Sequence, residues 1–141
     1  MRRNNVFYHK FLIRWGIYSG LFKGCKELGI DWNDIEVTID GPKIAKDTSG
    51  FTRFGPQCKI DFWTDEIMEA HSAPGVNCNL MTLAYRLSLH EIRHVWQYKH
   101  NPGLFQQETI VPYIFRRSEQ DANGFALGQP LFKSVEELKA A

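Results

Sequence analysis

The feature that most constrains the fold is a stretch without glycine or proline, residues 79–99, which reads NLMTLAYRLSLHEIRHVWQYK. Apolar side chains recur there every three or four residues along two neighbouring stripes, a pattern typical of a helix that is buried on most of its surface. Asn79 is the predicted N-cap, and Asn-Pro-Gly at 101–103 predicts the end of the helix. The chain has 141 residues, so we expect residues 1–141 to form one domain with a real core.

Five residues of this predicted helix spell HEIRH, an instance of the HExxH motif. Residues four apart share one face of a helix, so the imidazoles of His90 and His94 can bind the same Zn²⁺. Glu91 would lie beside the metal, where its carboxylate can accept a proton from a metal-bound water. A surface helix can carry two histidines by chance, but a buried one needs partners for such polar groups, and a metal ion is one. The motif therefore predicts a zinc site with Glu91 as general base.

The composition bounds the function without specifying it. Hydrophobic content of 43% and a net charge of +1 are ordinary for a globular protein and give no overall signal for a nucleic-acid or membrane partner. The three cysteines form no CxxC pair, which suits a reducing compartment, and we expect a cytoplasmic protein without a signal peptide or a transmembrane span. The oligomeric state is left open.

The first 26 residues are basic and aromatic, with six Lys/Arg and no acid. One interpretation is an arm that binds nucleic acid or a membrane surface. The interpretation we favour from the sequence is a core helix over residues 6–29, whose aromatic side chains build the core and whose basic side chains face solvent.

The remaining pattern predicts an α+β fold. Residues 34–40 and 57–63 alternate apolar and polar side chains as half-buried strands do, and residues 51–54 are a candidate for a short third strand. A short helix is expected over residues 65–71, with further helices starting at Ser118 and Ser134 through capping boxes with Asp121 and Glu137. We therefore expect a small, mostly antiparallel sheet of about three strands, packed against the HExxH helix and followed by a ligand-bearing helix.

A catalytic zinc site usually has three protein ligands, and two residues compete for the third position. His100 has the spacing of the metzincin pattern HExxHxxGxxH, but Gln97 stands where that pattern has a glycine turn. In a continuing helix His100 would point away from the metal. Glu119 opens the sequence EQDAN in a later helix and is the better placed candidate; the alternative is a carboxylate that interacts only with the helix N-terminus.

HEIRH followed by EQDAN resembles the gluzincin metallopeptidases, in particular small zinc peptidase domains of the ImmA/IrrE type. The resemblance implies that His90, His94 and Glu119 bind Zn²⁺ and that Asn123 orients a histidine. It also implies that strand 57–63 is the edge to which an extended protein or peptide substrate adds.

The expected function is a zinc metallopeptidase. Tyr113, six residues before Glu119, is a candidate to donate a hydrogen bond to the oxyanion, or else a packed aromatic with a solvated tip. Two alternatives stay open: a non-catalytic binding module that keeps zinc for structure, and a peptidase that acts on nucleic-acid-associated proteins.

Overall fold

The computed structural model describes residues 3–141 and has the predicted α+β architecture. Within that range the helices and strands follow one another along the chain as α1 Arg3–Leu28, β1 Ile35–Ile39, β2 Gly50–Arg53, β3 Cys58–Phe62, α2 Thr64–His71, α3 Leu80–His100, α4 Gly103–Gln107, α5 Arg117–Ala126 and α6 Val135–Lys139. One 3₁₀ turn precedes β1, and two lie between α4 and α5.

Helix α3 carries the HExxH motif and is the centre of the fold, as its two apolar stripes predicted. Its N-cap is Asn79, whose side chain accepts a hydrogen bond of 2.8 Å from the backbone N–H of Thr82. The helix packs against α1 on one side and against the sheet and α5 on the others. Because it is surrounded in this way, its C-terminal half from Glu91 to Gln97 is buried.

Helix α1 is unbroken and contains glycines at 16, 20 and 24. These glycines face α3, and a Cβ at Gly20 would lie 2.6 Å from the carbonyl oxygen of Tyr85. The absence of side chains there lets the two helices approach closely. Aliphatic residues of α1, such as Ile13 and Ile17, belong to the core beside this contact.

The prediction that the aromatic residues of α1 build the core is wrong. Trp15 and Phe11 are 60% and 59% exposed, and the other aromatic residues on that face are exposed as well. The physical reason is that the close α1–α3 approach leaves space only for small and aliphatic side chains, so the large rings lie on the opposite face of the helix.

The sheet is mixed rather than mostly antiparallel. The strand order is β1-β3-β2, with β1 parallel and β2 antiparallel to β3. The expectation that strand 57–63 forms the sheet edge is therefore wrong, because β3 lies in the middle. The edge strand next to α3 is β2, which packs against the motif helix.

The start of α5 also differs from its prediction. The helix begins at Arg117, and the carboxylate of Glu108, rather than an N-cap side chain, accepts from the backbone N–H of Ser118. Asp121 is fully buried instead of closing a capping box with Ser118. The cap predicted at Ser134 is present: its Oγ accepts a hydrogen bond from the backbone N–H of Glu137.

Among residues 3–141, no helix combines the length and the hydropathy that crossing a bilayer requires.

Candidate metal centre

Three side chains that the sequence singled out converge at one point. His90 and His94 project from one face of α3, and Glu119 reaches them from the first turn of α5. The Nε2 atoms of the two histidines are 3.1 Å apart, and the Glu119 carboxylate oxygens lie 3.0 Å from Nε2 of His90 and 3.1 Å from Nε2 of His94. Among the described residues these three form a group that could hold a metal ion.

The separations of these donor atoms fit a zinc site. Atoms that bind a tetrahedral zinc at about 2.0–2.2 Å lie about 3.3–3.6 Å from one another, only a few tenths of an ångström more than the distances in this cluster. The donor set, two imidazoles and one carboxylate, is also one that catalytic zinc sites use. Three ligands leave a fourth position for a water or a substrate.

The charges within the cluster shift the pKa values of its members. For His94 the largest influence is burial, which opposes the charged form. The hydrogen bond to Glu119 and the carboxylates of Glu91 and Glu119 outweigh it and raise the pKa to about 9. Burial likewise acts against an ionised Glu119, but its hydrogen bonds with the two histidines hold its pKa well below the usual range. Below about pH 9 the metal-free protein therefore pairs an anionic Glu119 with a protonated His94.

Gln97 holds His94 in the orientation that a metal ligand needs. Its Nε2 donates to two acceptors, the carbonyl oxygen of Ser118 at 2.9 Å and Oδ2 of Asp121 at 2.7 Å. These acceptors fix the orientation of the amide, so Oε1 faces Nδ1 of His94 at 2.8 Å and must accept from it. With a proton on Nδ1, the lone pair of the neutral imidazole lies on Nε2, toward His90 and Glu119.

Asp121 and Arg93 form the next layer of this network. The Arg93 guanidinium donates to both carboxylate oxygens of Asp121, at 2.8 Å and 3.0 Å, and to the carbonyl oxygen of Phe132. The guanidinium also lies over the rings of Trp96 and Phe125. Arg93 and Asp121 are 3% and 0% exposed, so this is a buried ion pair with its hydrogen bonds satisfied, and it ties α5 to α3.

Glu91 lies beside the cluster and is held by the sheet. The hydroxyl of Thr52, in edge strand β2, donates a hydrogen bond of 2.6 Å to Oε2 of Glu91. Glu91 is 5% exposed, yet it lines the groove in front of the histidines. One carboxylate oxygen is thus oriented by Thr52, and the other can accept a proton from a water in the groove.

Tyr113 also reaches the cluster. Its hydroxyl donates to Oε2 of Glu119 at 2.8 Å, and its side chain lines the same groove. Burial of the hydroxyl and the neighbouring carboxylate keep the pKa of Tyr113 above its usual range. The hydroxyl therefore stays protonated and remains a hydrogen-bond donor next to the candidate metal position.

The cluster lies at the bottom of a groove of about 910 Å³. One wall is residues 47–52, which include the first three residues of edge strand β2. The other walls carry apolar side chains such as Leu87 of α3, Phe105 of α4 and Leu127 directly after α5. An open groove beside an unpaired strand edge has the shape and the hydrogen-bonding groups to take an extended chain.

Two further candidates lie away from the cluster. His100, at the end of α3, contacts the ring of Trp96, and burial together with nearby lysines lowers its pKa. Asn123 lines the groove, but in the part of the chain that the structure describes it is Gln97 that orients a histidine.

Sequence reasoning missed Gln97, Arg93, Asp121 and Thr52 as parts of the site. A signal existed for Arg93 and Gln97: both are polar residues in a helix predicted to be mostly buried, and each therefore needs a buried partner.

Comparison of the chain with protein-family models, with curated proteins and with solved structures finds no match.

Proposed function

We propose that this protein is a zinc-dependent metallopeptidase with a gluzincin-type site. The observation that carries the proposal is the convergence of His90, His94 and Glu119 within 3.0–3.1 Å of one another, with Glu91 beside them in an open groove. A site that only stabilises the fold has no use for an oriented carboxylate next to the metal position. The three free cysteines favour a cytoplasmic location.

Zinc bound to these three residues would act as a Lewis acid, polarising the scissile carbonyl and lowering the pKa of a water molecule. The roles of the protein groups follow from their contacts. Glu91, oriented by Thr52, accepts the proton of the attacking water and passes it to the leaving amine. Tyr113, which stays protonated, can donate to the oxyanion that develops on the carbonyl.

The edge of β2 supports a protein or peptide as the substrate. Residues 49–52 line the groove, and the side of β2 that faces away from β3 has backbone groups that an extended peptide can pair with. Such pairing would place a backbone carbonyl next to the candidate metal position whatever the side chains of the substrate. The apolar walls of the groove favour substrates with apolar side chains.

Replacement of Glu91 by glutamine tests the proposal. Glutamine has nearly the same shape but accepts no proton, so we expect Glu91→Gln to keep its zinc and to lose at least about 10²-fold in turnover. The assay is digestion of a peptide library, read by mass spectrometry, with zinc content measured by elemental analysis.

The exposed Glu69 of α2 provides a matched control, since Glu69→Gln makes the same chemical change far from the groove. Equal cleavage by wild type and Glu91→Gln would remove Glu91 as the base. Zinc binding without cleavage of any library peptide would favour the non-catalytic binding module.

A further inference from the structure

Helix α1 exposes a continuous row of aromatic side chains, which we call the aromatic ridge. Trp15, at 60% exposed, and Phe7, at 73%, are typical of it. At about 100° per residue the members occupy an arc of roughly 100° on the helix, facing away from α3. The aromatic ridge consists of Phe7, Tyr8, Phe11, Trp15, Tyr18 and Phe22.

The aromatic ridge is too large to be an ordinary surface patch. The exposed fractions correspond to about three and a half whole aromatic side chains, or roughly 500–850 Å² at 150–250 Å² each. The largest apolar patch on a typical monomer is about 300–600 Å², and it is often functional. The aromatic ridge is therefore expected to be covered by a partner.

The charges beside the aromatic ridge indicate which partner. Lys10 and Arg14 lie along one side of it and Lys23 and Lys26 along the other, while Glu27 is the only acid in the sequence of α1. The surface pairs that Lys10, Arg14 and Lys23 make are 3.8–4.0 Å long and therefore weak. Apolar rings between two rows of cations suit a partner surface that has anionic groups on the outside and an apolar layer beneath them.

We propose that the aromatic ridge seats this protein on an anionic lipid surface, with α1 lying in the plane of the interface. Phenylalanine rings enter the acyl boundary, the polar atoms of Trp15 and the two tyrosines stay at the headgroups, and the lysines extend to lipid phosphates. Both faces of α1 are apolar: one is packed in the domain, and the opposite face is aromatic with basic borders and is the one available to a lipid surface.

Two other partners fit the charges and the shape less well. A second copy of the chain could cover a similar area, but it would bring the same basic borders into contact, and the acids beside those borders pair with them only at 3.8–4.0 Å. Nucleic acid needs ring faces that are free to stack on bases, whereas Phe22 is already stacked on Trp32, with ring centroids 4.5 Å apart.

The proposed orientation keeps the metal centre accessible. Helix α3 contacts α1 through the face that carries Tyr85, Ser88 and Ile92, whereas His90 and His94 lie on the opposite face with the groove. A protein adsorbed through α1 would present its groove away from the lipid, toward proteins in the surrounding solution or projecting from the membrane.

The experiment is flotation of the full chain with phosphatidylcholine vesicles, with and without phosphatidylserine. We expect binding at least about tenfold tighter to the anionic vesicles, weakening as salt is raised, since screening shortens the range of the attraction. Binding should shift tryptophan fluorescence to the blue. Trp15→Phe should remove part of that shift while retaining binding, because Trp63 and Trp96 are buried in the core and Trp32, which stacks on Phe22, would give the remainder.

Substitutions at exposed positions test the aromatic ridge without removing core contacts. Phe11→Ser should weaken vesicle binding by about tenfold, and Lys26→Gln by about fivefold. Phe115 is 64% exposed, close to the 59% of Phe11, and lies outside α1, so Phe115→Ser is the matched control and should bind as wild type does. Circular dichroism and the urea midpoint establish that each variant is folded.

Several results would overturn the proposal. One is no binding to anionic vesicles at low salt by the folded wild-type chain. Another is equal binding to neutral and anionic vesicles. A dimer in sedimentation that Phe11→Ser dissociates, without vesicle binding, would assign the ridge to a second copy. Binding to a labelled single-stranded oligonucleotide but not to vesicles would assign it to nucleic acid.

Discussion

Replacement of Gln97 by methionine removes the hydrogen bond that orients His94 and leaves the three candidate metal ligands unchanged. Methionine has a similar length but no group that accepts the Nδ1 proton of His94, which is bound at 2.8 Å in the wild type. Ser118 and Asp121 lose the amide donor but keep other partners: the helical bonding of α5 for the Ser118 carbonyl, and Arg93 for the Asp121 carboxylate. The cost is therefore mainly that of one unpaired buried donor.

The expected losses of stability and of zinc affinity follow from this one unpaired donor. An unpaired buried donor costs about 1–3 kcal/mol, so we expect the free energy of unfolding of the metal-free protein to fall by that amount. Without its acceptor, His94 can also place its proton on Nε2, which then cannot bind a metal. Loss of such an outer partner typically lowers metal affinity by about 10–100-fold, and we expect a decrease in that range for Gln97→Met.

Chelator competition measures the zinc affinity, and urea denaturation measures stability. Nitrogen NMR of the imidazole above about pH 9, where His94 of the metal-free protein is neutral, reports its tautomer. The control is Gln107→Met, the same change at an exposed position in α4. Zinc binding by Gln97→Met as tight as that of the wild type, with the neutral His94 still protonated on Nδ1, would show that the amide has no role in orienting the ring.

Three other expectations follow. Glu119→Ala should lose most zinc affinity while His100→Ala binds zinc nearly normally, and the opposite order in elemental analysis would replace the proposed ligand set. Zinc affinity should rise about tenfold per pH unit up to about pH 9, because binding displaces the proton of His94, whose pKa is raised to about 9. The raised pKa also stabilises the metal-free protein. This stabilisation is complete below about pH 6.5 and is lost as the pH rises through about 9. Calorimetry in buffers of different ionisation enthalpy should detect this proton, and its absence would contradict the shift. Gly20→Ala should destabilise the fold by about 1–3 kcal/mol, since its Cβ would overlap Ser88 Oγ; an unchanged urea midpoint would refute the close α1–α3 contact.

The motif helix and two of the strands could be predicted from the sequence because local patterns specify them. The spacing in HEIRH places both histidines on one face in any helix, and the Asn79 cap and the Asn-Pro-Gly stop bound that helix wherever it packs. The alternation in residues 34–40 and 57–63 likewise marked two strands. Glu119 could be chosen from the sequence only by the resemblance and by the need for a third ligand.

What the sequence alone determined is the chemistry of single elements: a long buried helix, two histidines and a glutamate on it, and a later acid. Only the tertiary structure decided which surfaces meet. It placed β2 rather than β3 at the sheet edge, buried Asp121 against Arg93, and made Gln97 the acceptor for His94. It also turned the aromatic side of α1 outward, because both faces of that helix are apolar and only the close helix contact determines which is buried. Periodicity along a chain reports which residues share a face, whereas the partner of that face depends on residues far away in the sequence.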